Sequence, residues 1–303
     1  MLNIFCMMYY FVGVLLCALH VYVDSLAVDD IDRHPSWKYF DTEQCGITKY
    51  DDVQPRIVNG KKAKLGEFPW IVRLGIKFSD ADYIFFSCAG NLINRHYILT
   101  AGHCLESNTI ARIGENNSRN TTDCDESGCA PPVQDIGIKK IIAFGYQKKT
   151  RRRDFQLVLL EKPVQFNEYV VPVCLPRGPI LTKDFLGKTV RIAGWGYNNS
   201  TVQTLPDDLI FIRAPILKNE ICNNIYKNPL DQSQLCAGYL NGKDSCAGDS
   251  GGPMTKFLKH RERRQHYLLG IVSYGKKVCG SGPAVYTKVA YYMKEILDNI
   301  ELD

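Results

Sequence analysis

The feature that most constrains this chain is a recurring pattern of short β-branched and aromatic runs separated by turn residues. They fall at residues 70–74, 84–86, 97–99, 157–160, 190–193, 267–272 and 285–289. Each run is too short for a typical helix, and punctuated runs of this kind predict an all-β barrel or sandwich. Near the end, Tyr291, Tyr292, Ile296, Leu297 and Ile300 fall at roughly helical spacing, predicting one amphipathic C-terminal helix. The chain shows no internal repeat and no low-complexity tract. With 303 residues, 45% apolar and 23% charged, it has the make-up of an ordinary globular protein. A formal charge of +5 makes no case for a nucleic-acid partner.

Cysteine usage and the N-terminus predict an exported protein. Twelve cysteines are many for a reducing compartment. Residues 4–23 form a nearly unbroken apolar run, followed by the small-x-small pattern Ser25-Leu26-Ala27. We read residues 1–27 as a cleaved signal peptide, a signal anchor being the competing reading. Its removal leaves ten cysteines, an even number that can pair completely. Residues 28–56 are polar, lack helical or strand periodicity, carry one cysteine at Cys45 and end at Arg56. They read as a pro-segment, and residues 57–303 as the folded domain. Asn116, Asn120, Asn198 and Asn199 fit the glycosylation acceptor rule.

Three motifs carry chemistry. In Asp244-Ser-Cys-Ala-Gly-Asp-Ser-Gly-Gly-Pro253 the hydroxyl of Ser250 lies among Gly248, Gly251 and Gly252. Glycines leave backbone N–H groups bare, and such donors can hold the oxyanion of acyl transfer. A Gly/Ser-rich surface turn is the plainer reading of that segment alone. In Thr100-Ala-Gly-His-Cys104, His103 follows an apolar run. Together with Cys88 and Cys104 it lacks the paired spacing of a zinc site. Asp154 opens the apolar run Phe155 to Leu160, suited to burial against a histidine. The order histidine, aspartate, serine also differs from hydrolases whose serine comes first.

On four motifs (Arg-Ile-Val-Asn-Gly60, Thr-Ala-Gly-His-Cys104, Asp154 with its run, and Gly-Asp-Ser-Gly-Gly-Pro253) the chain resembles the chymotrypsin/trypsin family of serine peptidases over residues 57–303. The resemblance implies two six-stranded antiparallel β-barrels with the site between them, and a C-terminal helix. It implies Ser250 as nucleophile, His103 as base and Asp154 as its orienting group, with the N–H groups of Gly248 and Ser250 as oxyanion hole. Cleavage after Arg56 would free an amine on Ile57 that pairs with Asp249. Asp244, aided by Ser245, would bind Arg or Lys at P1. Ser273, Tyr274 and Gly275 would line extended substrate, with Tyr274 standing where many relatives have Trp. Ala284 stands where relatives usually carry glycine in the pocket wall, and a methyl there costs about 1–3 kcal/mol by overpacking. Pro283 argues against the sodium site of some relatives.

The family pattern further suggests disulfides Cys45–Cys174, Cys88–Cys104, Cys222–Cys236 and Cys246–Cys279, leaving Cys124 and Cys129 to pair in a local insertion. That insertion and the Cys45 tether look most like arthropod clip-type proteases, although the six-cysteine clip module is absent. No cofactor is implied. Glu115, Asn117, Asp123 and Asp135 supply oxygen ligands for a Ca²⁺ loop, a solvated acidic loop being the alternative. The expected protein is a secreted, trypsin-like endopeptidase made as a zymogen. Its partners would be protein or peptide substrates, a trypsin-like activating protease and serine protease inhibitors, with no stable membrane insertion. The rival is a catalytically weak or silent protease homologue acting as a binding cofactor. Two basic clusters, Arg151-Arg152-Arg153 and residues 259–264, read as solvated loops or acidic-partner contacts.

Overall fold

The computed structural model describes residues 28–50, 60–78, 83–104, 109–126, 128–196, 206–239, 249–260, 263–276 and 282–301. In chain order the strands of its first half are β1 (Lys61–Lys62), β2 (Ile71–Lys77), β3 (Ile84–Leu92), β4 (Tyr97–Thr100), β5 (Ile110–Ile113), β6 (Cys124–Asp125), β7 (Gly128–Cys129), β8 (Gln134–Ala143) and β9 (Gln156–Leu160). Six of them close an antiparallel barrel in the order β2-β3-β4-β9-β8-β5. Its interior is filled by Val72, Leu74, Ile98, Ile113 and Val158. β4 is buried at every position, which is why its sequence is continuously apolar rather than alternating.

The second half contributes β10 (Thr189–Gly194), β11 (Ile210–Leu217), β12 (Gln234–Ala237), β13 (Pro253–His260), β14 (Arg263–Tyr274) and β15 (Ala284–Lys288). They run in the order β11-β10-β13-β14-β15-β12, and pairing of Ile216 with Ala237 and Leu217 with Cys236 closes the ring. β1 adds to the outside of β11. The architecture is thus two six-stranded antiparallel barrels. Between them lies a shared apolar layer that includes Trp70, Leu99, Phe155 and Leu157 from the first half and Trp195, Phe211, Leu268 and Ile271 from the second. The closing helix α3 follows α1 (Pro179–Thr182) and α2 (Asn219–Tyr226), and spans Met293–Asp298. Ile296, Leu297 and Ile300 are buried as their spacing predicts, but Tyr291 is 49% exposed. A 3-10 turn over Val289–Tyr292 precedes the helix and shifts Tyr291 off the apolar stripe.

Four disulfides join described residues: Cys45–Cys174, Cys88–Cys104, Cys124–Cys129 and Cys222–Cys236. Cys246 and Cys279 lie outside the described residues. The segment 28–50 has more structure than its aperiodic sequence suggests. A 3-10 helix over Pro35–Tyr39 places Trp37 against the shared layer, with its indole N–H donating to the Ile31 carbonyl at 2.7 Å. Gln265 then clamps the chain, its amide donating to the carbonyls of Thr42, Glu43 and Cys45 at 3.0–3.3 Å. Gly46 has φ of +64°, and a Cβ there would stand 2.3 Å from the His266 carbonyl oxygen. Only glycine lets this segment approach β14 so closely.

His266 itself carries an acid sensitivity. Its ring is fully buried between Trp70 and Phe257, and neither nitrogen finds a partner among the described residues. Burial, reinforced by the positive charges of Arg191, Arg213 and Lys256, pushes its pKa down to about 3. Between the ordinary histidine range and that value the unfolded chain binds a proton that the folded chain refuses, so stability falls as pH falls through this window. Lowering the pH from 6.5 to 4.5 should cost about 2 kcal/mol through this group alone. Urea unfolding at the two pH values, compared between wild type and His266→Leu, measures it: the variant should lose less on acidification.

Candidate active site

Strand pairing brings the first two functional side chains together. Thr100 ends β4 opposite Gln156 at the start of β9. The chain leaves β4 through a 3-10 turn, Gly102–Cys104, that carries His103, while Asp154 sits just before β9. The Asp154 carboxylate therefore meets His103 directly. The His103 backbone N–H donates to Oδ1 at 2.9 Å, and Nδ1 lies 3.0 Å from Oδ1 and 2.9 Å from Oδ2. With acceptors on that side, the hydrogen-bond network assigns the ring proton to Nδ1 and leaves Nε2 as acceptor. Ser250 Oγ lies 2.9 Å from Nε2, positioned to donate to it.

Ser250 comes from the second barrel, on the turn leading into β13. That turn is fastened to the first barrel: Ala89 N–H donates to the Ser250 carbonyl and the Asn91 amide to the Gly251 carbonyl, both at 2.8 Å. Gly251 has φ of +81°, and a Cβ would meet the Ala89 carbonyl oxygen at 2.3 Å and Thr100 Oγ1 at 2.1 Å. The glycine after the serine is thus required by close approach as well as by conformation.

Asp154 is 1% exposed and further supported by residues the sequence did not single out for that role. The Ser273 hydroxyl makes a short hydrogen bond to Oδ2, and Thr287 Oγ1 donates to the Asp154 carbonyl at 2.7 Å. The hydroxyl of Ser273, a residue of the segment expected to line extended substrate, thus faces Asp154. Tyr146 packs beside His103, ring centroids 6.0 Å apart, and its pKa is raised by burial and then by the charge of Asp154. No sequence pattern marked Thr287 or Tyr146, because each acts through tertiary placement alone.

Asp249, one residue before Ser250, is 8% exposed and accepts the Gly196 N–H at 2.8 Å. Glycines at 194 and 196 leave room for it, since added Cβ atoms would stand 1.8 and 2.7 Å from its carboxylate. Ala284 has no exposed surface and packs in the second barrel's core with Ala237 and Tyr286. Arg56, Ile57, Asp244, Ser245, Gly248, Asn198 and Asn199 lie outside the described residues. Gly275 is exposed at the end of β14.

Most of the described insertion is exposed, but two of the carboxylates in this region are buried. Glu115 and Asp123 are 5% and 7% exposed. Asp123 accepts the N–H groups of Asn116 and Asn117 and the Asn120 amide, Asp135 chelates Arg112 through two 2.8 Å bonds, and Glu115 lies 3.9 Å from Arg73 and 3.5 Å from Arg112. Burial raises Glu115 to about 7 against the pull of both arginines. The residues considered for Ca²⁺ are thus engaged with the chain's own donors, and no group of three or more His, Cys, Asp or Glu among the described residues is placed to hold a metal ion. Of the two acceptor asparagines among the described residues, Asn120 is exposed and Asn116 is half-buried, its backbone carbonyl accepting from the Trp195 indole and the Leu209 N–H.

No helix among the described residues is long and apolar enough to cross a membrane. Comparison with known proteins agrees with this geometry. The Trypsin family profile matches residues 57–296. Phenoloxidase-activating factor 3 of Holotrichia diomphalia is 37% identical over 279 residues, covering 86% of this chain and 76% of that protein. The Spaetzle-processing enzyme of Drosophila melanogaster is 34% identical over 279 residues, with 85% and 68% covered. The venom protease of Bombus pensylvanicus is 36% identical over 256 residues, covering 80% of this chain and 98% of that protein. The crystal structure of the Drosophila Grass clip serine protease of the Toll pathway superposes with a TM-score of 0.73 at 30% identity, covering 86% of this chain and 76% of that one. By profile, relatives and architecture together, this chain belongs to the trypsin family of serine proteases.

Proposed function

We propose that this chain is a secreted serine endopeptidase, made as a zymogen with a signal peptide at 1–27 and a pro-segment at 28–56, that cleaves protein or peptide substrates after Arg or Lys. The observation that carries this reading is the continuous hydrogen-bonded line from buried Asp154 through His103 to Ser250. A histidine held in the Nδ1–H tautomer can accept the serine proton at Nε2 as Oγ attacks the scissile carbonyl. Asp154 stabilises the imidazolium so formed, which then gives its proton to the leaving amine. The N–H groups of Gly248 and Ser250 hold the oxyanion, at a typical value of about 3–4 kcal/mol per donor. Water then hydrolyses the acyl-enzyme by the same proton relay. The residues suffice for this chemistry, and no step is routed through a metal.

Asp244, six residues before Ser250, is assigned to the basic P1 side chain, with Ser245 beside it. Ala284 would tune the balance between Arg and Lys. Activation is assigned to cleavage after Arg56, which frees the Ile57 amine to pair with Asp249. The activator would itself have trypsin-like specificity, and serine protease inhibitors would regulate the product. Cys45–Cys174 would keep residues 28–56 attached after the cut. A panel of matched peptides with Arg, Lys or Phe at P1 tests the reading, using protein cut at Arg56 and Ser250→Ala as blank. Turnover after Arg and Lys alone is expected. No turnover above the blank from correctly cut, folded protein would favour the silent homologue.

Activation makes a separate prediction. Arg56→Gln should resist a trypsin-like activator and stay inactive. Wild type should yield a new N-terminus at Ile57 and two chains that separate on a gel only after reduction. N-terminal sequencing and paired reducing and non-reducing gels read both outcomes.

A further inference from the structure

The three consecutive arginines 151–153 are not equivalent in the structure. Arg152 forms an ion pair with Asp231 at 3.0 Å, and Arg153 pairs with Glu295 while donating to the Phe144 carbonyl at 2.7 Å. Arg151 has no carboxylate partner among the described residues. Its guanidinium lies over the Tyr274 ring, 4.3 Å from the centroid, and the residue is exposed. Lys148 and Lys149 on the same loop are exposed too, and neither pairs with a carboxylate among the described residues.

Arg151 also sits beside the catalytic line. It lies three residues before Asp154, and its platform Tyr274 directly follows Ser273, whose hydroxyl bonds Asp154. Tyr146, packed on His103, feels the charge of both Arg151 and Asp154. The backbone is held for this purpose: Arg151 adopts φ of +53°, its N–H donates to the Gln147 carbonyl at 2.6 Å, and its carbonyl accepts the Gln234 amide at 3.2 Å. A left-handed conformation at a residue other than glycine persists only where surrounding contacts impose it. Tyr274 is fixed in turn, packed edge-on against Tyr226 at 5.2 Å. A guanidinium held over an aromatic ring spends none of its N–H donors on a carboxylate, and its planar fork matches one.

We propose that Arg151, stacked on Tyr274 at the rim of the cleft, is a specificity-determining residue that selects substrates with an acidic side chain among the three residues preceding P1. This rests on the peptidase reading above, in which residues 273–275 line the substrate segment leading to the P1 pocket. An exposed, preorganised ion pair of this kind is expected to be worth about fivefold in kcat/KM.

The test uses full-length protein cut at Arg56 and peptide pairs with Arg at P1 that differ only in Glu or Gln at P2, P3 or P4. Wild type should prefer Glu over Gln by about fivefold at one of these positions. The preference should shrink as salt rises, because the contact is exposed. The Glu-to-Gln ratio should fall to about one in Arg151→Ala and below one in Arg151→Glu, while Arg152→Ala keeps the wild-type ratio. Because each ratio compares two substrates on one protein, a general loss of activity or fold does not mimic the result. A ratio near one at all three positions in an active wild type would overturn the inference and leave the peptidase reading standing. A ratio unchanged in Arg151→Ala would overturn it too. A wild type that cleaves neither peptide of any pair would overturn both.

Discussion

Asp154→Asn should lower kcat by about 10⁴-fold, the size this exchange has in chymotrypsin-type triads, while the protein stays folded. The structure gives the reason. Both carboxylate oxygens accept hydrogen bonds here, Oδ1 from the His103 backbone N–H and Oδ2 from the Ser273 hydroxyl, and His103 Nδ1 lies within 3.0 Å of each. An amide keeps one acceptor and replaces the other with a donor. That NH₂ group faces Nδ1 favourably only when Nδ1 carries no proton. The ring then takes the tautomer with its proton on Nε2, facing Ser250 Oγ, and can no longer accept the serine proton. The same exchange removes the negative charge that stabilises the imidazolium. Steady-state kinetics on a P1 arginine peptide, with circular dichroism as the folding control, check the prediction. A loss of tenfold or less would mean that His103 holds its tautomer without Asp154.

The second large effect concerns stability. Arg191 on β10 and Glu67 are 2% and 8% exposed and form a short ion pair across the two halves of the fold. The guanidinium lies against both Phe68 and Phe211, at 4.3 and 4.7 Å from their ring centroids, and the two rings pack on each other at 5.2 Å. Glu67 also accepts the Lys64 N–H at 2.9 Å, which ties the chain just beyond residue 60 to the same pair. Glu67→Ala would leave the buried guanidinium against two aromatic rings without this carboxylate. The expected cost is about 3–5 kcal/mol. Adding Arg191→Met removes the buried charge and sets an apolar side chain against both rings, so the double variant should be more stable than Glu67→Ala alone. Chemical denaturation of the single and double variants reads both signs. A double variant less stable than the single would show that the arginine's remaining contacts outweigh the loss of Glu67.

Legibility of the fold followed burial pattern. β4 and β9 were plain in the sequence because they are apolar and almost wholly buried. β8 was not, because six of its ten positions carry polar or small side chains and only Ile136 is buried, with Lys139 and Lys140 in the middle. β11 was obscured by Pro215 and by charged Arg213 within it, and β13 begins where the glycines of the serine turn end. The order of residues 28–50 is not legible in their aperiodic sequence because it is imposed from outside, by Gln265, the Cys174 bridge and the layer that receives Trp37. The site showed the same division. His103, Asp154 and Ser250 were named from local motifs, since each sits at a strand end or tight turn with a sequence signature. Thr287, Tyr146 and the direction of the Ser273 hydroxyl depend on which strands become neighbours, and single-chain patterns do not encode that.

The most direct test of the central claim is active-site titration with a guanidinobenzoate nitrophenyl ester, a basic acyl donor whose acyl-enzyme hydrolyses slowly. Protein cut after Arg56 should release nitrophenol in a rapid burst approaching one equivalent, and mass spectrometry should place the acyl group on Ser250. Uncut protein, Ser250→Ala and Asp154→Asn should show no rapid burst. Cut, folded wild type that gives neither a burst nor an adduct on Ser250 would contradict the assignment of this hydrogen-bonded line as a working nucleophile.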